Sequence, residues 1–172
     1  MKLGYMTSQS SIWTFSQPRM KKWMVQHLVG RVINVFAGMN KIPGAVNCDN
    51  NPEMNPDVLI DAMLLETRFH ENEFDTAVLD PPYSQHQIVT RYNGHGVHEI
   101  TRVRDQLVKI VTKRLIWFGY NIPGTPGFKK TEILLINHGG DRNATICAVE
   151  DREAPRNNII CTVEDREFAR LI

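Results

Sequence analysis

The sequence is short of cysteine, of charge imbalance and of long apolar runs, and each shortage removes a class of protein. Cys48, Cys147 and Cys161 are odd in number and form no Cys-x-x-Cys pair. A disulfide framework is therefore not expected, and the thiols read as reduced and mostly buried. No run approaches the roughly 18–20 apolar residues that span a bilayer. No basic stretch followed by an apolar one marks a secretion signal. A cytoplasmic protein with no membrane partner is the expectation. The formal charge is +1, too small for the broad phosphate grip of strongly basic nucleic-acid binders. His95 and His98 have no cysteine or carboxylate pattern around them, so no metal site is expected. What remains is 172 residues, a size for one domain by the rule of about 100–200 residues per domain.

What is present is organised around Asp80-Pro81-Pro82-Tyr83. The run Thr76–Leu79 before it reads as a short buried strand. Two prolines fix φ twice and remove two backbone N–H groups, so the strand cannot continue. Asp80, preceding a proline, is biased to an extended conformation. The result is a stiff turn carrying a carboxylate and an aromatic ring at the C-terminal end of a strand, where open α/β sheets hold ligands. The ring suits stacking on a planar substrate, while Asp80 and a carbonyl of the turn suit the hydrogens of an amino group. A surface loop ending in a packed tyrosine is the other reading of the same residues.

Asp80-Pro81-Pro82-Tyr83 resembles the catalytic motif of the S-adenosylmethionine-dependent amino-methyltransferases, and aspartate in first position is most like the adenine-N6 DNA enzymes. Upstream, Arg31–Gly38 is similar to the cofactor-binding strand and turn of that superfamily, in which an apolar strand ends in Phe-x-Gly-x-Gly. The two motifs stand in the family's order, and the resemblance covers about Phe15 to Glu150. It implies a compact Rossmann-like α/β class I methyltransferase sheet, mostly parallel with a C-terminal antiparallel hairpin. It also implies S-adenosyl-L-methionine as cofactor. The residues carried over to the cofactor site are Phe15, Asn34, Phe36, Ala37, Gly38, Asp49, Asp61, Ala62 and Asp80. Those carried over to catalysis are Asp80, Pro81, Pro82 and Tyr83. Two positions depart from the pattern. Asn40 replaces the second glycine, where asparagine best tolerates φ > 0, and Asn34 stands where the family usually has an acid.

Along the chain, residues 1–13 read as an arm and 1–153 as a single domain, with 154–172 as a repeat segment or an extra strand. Helical spacing of Met20, Trp23, Met24 and Leu28 predicts a helix behind Pro18, ended by Gly30. Thr14-Phe15-Ser16 either folds over the methionine end of the cofactor, as the resemblance implies, or packs with Trp13 on the sheet. Ala45–Asp49 follows Gly38 too soon for the dozen or more residues of a normal parallel crossover, so the first helix of the fold looks deleted. Val58–Ile60 then leads into Asp61-Ala62 and a short helix, unless residues 56–66 form one helix with Asp61 on its surface. Ser84–His98 lacks apolar periodicity and reads as a loop over the substrate pocket. Ile100, Val103, Leu107, Ile110 and Val111 predict an amphipathic helix, Leu115–Gly119 a buried strand, and Ile133–Ile136 with Thr145–Val149 a hairpin. Ile146–Glu153 recurs almost unchanged as Ile160–Glu167, a duplication too short for a solenoid.

The expected function is methylation of an exocyclic amino group of a nucleobase, with adenine N6 in DNA as the first target. Asp80 and the Pro81 carbonyl would accept the two amino hydrogens, and Tyr83 would stack on the base. Two alternatives stay open: guanine N2 in ribosomal or transfer RNA, and a non-catalytic binding subunit that keeps the fold. Nucleic acid is the expected partner, DNA ahead of RNA. The chain has no extra block for target recognition, so a recognition partner or a homodimer would have to supply it.

Overall fold

The computed structural model describes residues 1–9, 11, 14–82, 99–122, 124–140 and 143–154, and every structural statement below concerns those residues. Trp13, Tyr83, the Ser84–His98 segment with its histidines, and the second repeat copy lie outside them.

Eight strands form one sheet: β1 (Lys2–Thr7), β2 (Val32–Val35), β3 (Val46–Asp49), β4 (Val58–Leu59), β5 (Phe74–Leu79), β6 (Val111–Gly119), β7 (Phe128–Asn137) and β8 (Thr145–Arg152). Their spatial order is β1-β7-β8-β6-β5-β2-β3-β4. All neighbours run parallel except β8, which is antiparallel to both β6 and β7. This is the expected mixed α/β sheet with its antiparallel hairpin. The chain builds outward from β2 through β3 to β4, then returns across β2 to lay down β5. The switch point of the sheet therefore lies between β2 and β5, with Val35 directly beside Leu79. Crevices at such points, outside the strands' C-terminal ends, are where open α/β sheets bind ligands.

Two helices cover the sheet. Helix α1 (Pro18–Val25) starts on its proline and buries Met20, Trp23 and Met24 against Val78, Ile116 and Phe118 on one face. Phe15 joins this layer, its ring edge-on to Phe118 with centroids 5.2 Å apart. Helix α2 (Ile100–Ile110) buries Val103, Leu107 and Ile110 on the other face, with Leu79, Leu115 and Trp117. The chain passes from α2 straight into β6 at Val111, earlier than the apolar run alone predicts.

Two segments differ from expectation, and the open choice at residues 56–66 is decided. Residues 2–7, read as part of an arm, pair in parallel with β7 from Lys2↔Glu132 to Thr7↔Asn137. Leu3 and Tyr5 stay exposed, and the strand is held by backbone bonds, the Lys2–Glu132 ion pair and Met6 packed on the core, which leave little apolar signature. Residues 56–66 are not one helix: β4 is followed by a 3-10 segment, Ala62–Thr67, kinked at Leu64. Gly30 does not cap α1, which already ends at Val25. It turns the chain into β2 at φ +58, where an added Cβ would lie 1.9 Å from Asp75 Oδ2.

The missing crossover helix between β2 and β3 is real, and three asparagines hold the short connection in its place. Buried Asn34 donates to the Asn40 carbonyl at 2.9 Å and to Asn47 Oδ1 at 3.0 Å. Asn47 Oδ1 also accepts from the Ile42 N–H, and its amide donates to the Ala45 carbonyl and to Asp57. Buried backbone groups need partners, and here side-chain amides supply those that a helix would otherwise supply to itself. The hydrogen bonds from the Asn47 backbone N–H and side chain hold the Asp57 carboxyl below its usual range.

Candidate active site

The turn after β2 is tight and left-handed twice, with φ of 62° at Phe36 and 48° at Gly38. A positive φ at a non-glycine residue is uncommon and marks a position that its surroundings over-determine. Three bonds do so here. The Ala37 N–H reaches the Cys48 carbonyl at 2.9 Å, the Asn40 N–H reaches the Ala37 carbonyl at 2.7 Å, and the Gly38 N–H reaches Asp49 Oδ2 at 2.8 Å. Asp49, at the end of β3, also accepts the Asn51 N–H through Oδ1. One carboxylate thus ties the turn of β2 to the turn of β3.

Asp80 follows β5 directly, half-buried, with Pro81 buried behind it. The link between the two turns is Asn40. Its Oδ1 accepts the Phe15 N–H at 3.1 Å, while its Nδ2 stands 3.5 Å from Asp80 Oδ2. Phe15, the Phe36–Gly38 turn, Asp49 and Asp80 are therefore brought together at the switch point. Asn40 is not the left-handed glycine substitute expected of it: φ is positive at Phe36 and Gly38 instead, and Asn40 contributes its side chain. Asn34, expected beside the cofactor, lies beneath the turn with its amide committed to Asn40 and Asn47. Asp61 stands one strand further out, past β4, and caps the 3-10 segment by accepting the Met63 N–H at 2.8 Å; Ala62 is buried against the core.

The donor set suits part of the expected cofactor. A carboxylate offers about four lone-pair sites, and Asp49 has used two, so it retains acceptors for ribose hydroxyls. Asp61 has used one oxygen and retains the other. The amino-acid end has no acid at position 34. Cys147 lies within the electrostatic reach of Asp80, and burial followed by that charge pushes its thiol well above the usual range. Burial pushes Cys48 up to about 12. Neither is a nucleophile at neutral pH. Among the described residues no group of three or more His, Cys, Asp or Glu is placed to hold a metal ion, and no helix is long and apolar enough to cross a membrane.

Beside the Asp80 turn lies a cavity of about 180 Å³ between the start of α2 and the C-terminal ends of β5 and β6. Its walls include Pro81, Pro82, Arg104, Trp117, Asn121 and Ile122. Trp117 was not a candidate from the sequence, and Asn40 was one only as a substitute for glycine. Trp117 sits in an apolar run where a packed indole is unremarkable, and the hub role of Asn40 depends on contacts distant in sequence.

No protein-family model matches the chain, and no curated protein matches it. Among solved structures it is similar to the putative methyltransferase yhhF from Escherichia coli, at 11% identity over 86% of this chain and 92% of that one, with a TM-score of 0.54. It is also similar to TrmN from Thermus thermophilus, at 14% identity over 80% of this chain with a TM-score of 0.49, and it spans about half (49%) of that longer chain. With its mostly parallel eight-stranded sheet, the chain shares the mixed α/β fold of yhhF.

Proposed function

We propose that this protein is an S-adenosylmethionine-dependent amino-methyltransferase acting on a nucleobase, with adenine N6 in DNA as its first target. One observation carries the reading: Asn40 joins the left-handed turn after β2 to Asp80 after β5, at the switch point of a methyltransferase-type sheet. When bound, S-adenosylmethionine supplies an electrophilic methyl group. Phe36–Gly38, Asp49 and Asp61 with Ala62 are the residues assigned to hold it, and Phe15, tied to Asn40 through its backbone N–H, is assigned beside them.

The remaining work falls to the chain's own groups. An exocyclic amino nitrogen is a poor nucleophile because its lone pair is delocalised into the ring. Asp80 and the Pro81 carbonyl accept its two hydrogens, which localises the lone pair and aims it. The two prolines keep these acceptors from turning away, so orientation is set before the reaction begins. Tyr83 is assigned to stack on the base.

Incubation with methyl-labelled S-adenosylmethionine and either DNA or RNA, followed by nucleoside analysis, tests this. N6-methyladenine from DNA is expected. N2-methylguanine from RNA would move the target and keep the chemistry. Cofactor binding by calorimetry without methyl transfer to any nucleic acid would refute the enzyme assignment.

A further inference from the structure

Strand β1 stands at one end of the sheet, so one row of its backbone groups has no strand beside it among the described residues. Such an edge is a template for another strand. One face of this edge is also bare. Leu3 is 71% exposed and Tyr5 62%, and Leu135, opposite Tyr5 on β7, is 40% exposed. Helix α2 packs on the same face further in, with Leu79, Leu115 and Trp117, and leaves these three in solvent.

The chain carries a strand-forming segment within reach of it. Residues 160–167 repeat residues 146–153 with one change, Thr162 for Ala148, and the first copy lies in β8. The second copy fits the β8 position less well. Thr162 would bury a hydroxyl where Ala148 is fully enclosed, and Ile159 would replace Thr145, whose Oγ1 bonds His138 at 2.9 Å. Strand β8 finishes where the Glu153 N–H donates to the Gly127 carbonyl at 2.9 Å, at the end of the sheet where β7 and β1 begin. Pro155 then stops a strand, and Asn157-Asn158 suit a turn. Passing β7 and β1 to the open edge takes three strand spacings, about 14 Å. The six residues 154–159 reach at most about 20–22 Å. An antiparallel strand would have to start at the far end of β1, roughly 20 Å further on, so the reach allows only a parallel one.

We propose that residues 159–165 of this same chain dock as a further strand, parallel to β1 along its open edge. Ile159, Cys161 and Val163 then share the face of Leu3 and Tyr5 and extend its apolar strip, while Thr162 lies beside Gly4. The β-branched run Ile159, Ile160, Thr162 and Val163 suits a strand. Glu164 and Asp165 arrive at Thr7, whose carbonyl accepts from the exposed Arg19 at 3.5 Å, so charge agrees with the parallel direction. The rival occupant is a second copy of the chain. The six residues of β1 are far fewer than the roughly 20–30 per side of a stable interface. A tethered segment instead acts at an effective concentration in the mM range. The inference is independent of the proposed methyl transfer.

Two measurements on the full chain test this. Leu3→Cys and Tyr5→Cys each place a thiol on the open edge, while Cys48 and Cys147 are buried. Neighbouring strands lie about 4.8 Å apart, within the Cα separation of a disulfide. Mild oxidation of dilute protein should join the introduced thiol to Cys161 of the same chain, as peptide mass spectrometry reports, and adding Thr162→Pro should abolish the bond. Hydrogen exchange without any added cysteine gives the second reading. The β1 amides turned away from β7 should exchange slowly in the wild type and at least about tenfold faster in Thr162→Pro, because two or three hydrogen bonds are lost together. Free exchange of those amides in the wild type, or no response to Thr162→Pro, would overturn the proposal. A disulfide joining two chains would give the edge to a second copy, and one to Cys147 would mean that the repeat copies had changed places; either overturns it too. No reading here depends on methyl transfer, so failure of the proposed function is a separate result.

Discussion

Asn34→Asp restores the acid that the amino-methyltransferase pattern carries at the end of this strand, and it should damage the protein. Asn34 is 1% exposed and acts as a double donor, to the Asn40 carbonyl at 2.9 Å and to Asn47 Oδ1 at 3.0 Å. An ionised carboxylate has no donor, so both acceptors would face a negative charge without solvent. Each unsatisfied buried group costs about 1–3 kcal/mol, giving roughly 2–6 kcal/mol before any repulsion, against a typical domain stability of about 5–15 kcal/mol. Burial beside two acceptors raises the new carboxyl's pKa above its unfolded value. The folded state then holds the proton more tightly, so the deficit is smallest below the unfolded pKa and grows as pH rises through the folded one. Urea unfolding followed by circular dichroism at mildly acid and neutral pH reads both the size and the slope. A variant as stable as wild type at neutral pH, and binding S-adenosylmethionine more tightly, would show that position 34 faces the cofactor, and the asparagine network would lose its assigned role.

Other substitutions probe neighbouring parts of the account. Asp49→Ala removes the acceptor shared by the Gly38 and Asn51 N–H groups; it should cost about 1–3 kcal/mol and abolish the thermal shift produced by S-adenosylmethionine, whereas an unchanged shift would exclude Asp49 from the cofactor site. Gly30→Ala places a Cβ 1.9 Å from Asp75 Oδ2 at φ +58, and a loss of about 1–3 kcal/mol in denaturant unfolding is expected; no loss would mean that the Asp75 carboxylate simply moves aside. Cys48 and Cys147 are buried with raised thiol pKa values, so a thiol-reactive reagent at neutral pH should modify them only on unfolding, as mass spectrometry of labelled peptides would report.

The parts of the fold legible in the sequence are those where burial dictates composition. The second halves of β5 and β6, Ala77–Leu79 and Leu115–Phe118, are apolar on both faces because helices cover both, so their runs stand out. The α2 stripe of Val103, Leu107 and Ile110 carries a plain helical period. The short step from Gly38 to the next apolar piece announced the missing crossover helix, because a parallel connection without one leaves few residues. Strand β1 was hidden since Leu3 and Tyr5 remain in solvent and its ties to β7 are backbone bonds and polar contacts such as the Lys2–Glu132 ion pair. The asparagine network was hidden for a different reason. Asn34 and Asn40 stand out only as departures from the family pattern and Asn47 not at all, until the pairing of β2 with β3 puts the three in one place. The Asp80 turn could be located because two prolines have few structural uses after a strand, but the cavity beside it depends on the β5–β6 register and on where α2 begins.

The central claim is that Asp80 orients an amino group for methyl transfer, and Asp80→Ala tests it most directly. The substitution keeps both prolines and removes only the acceptor. Single-turnover transfer from labelled S-adenosylmethionine to the substrate found by nucleoside analysis should fall by at least about 10²-fold, the scale of deleting one transition-state hydrogen-bonding group, while the calorimetric affinity for S-adenosylmethionine changes little. Wild-type turnover in the Asp80→Ala protein would contradict the account and leave Asp80-Pro81-Pro82 as a structural turn.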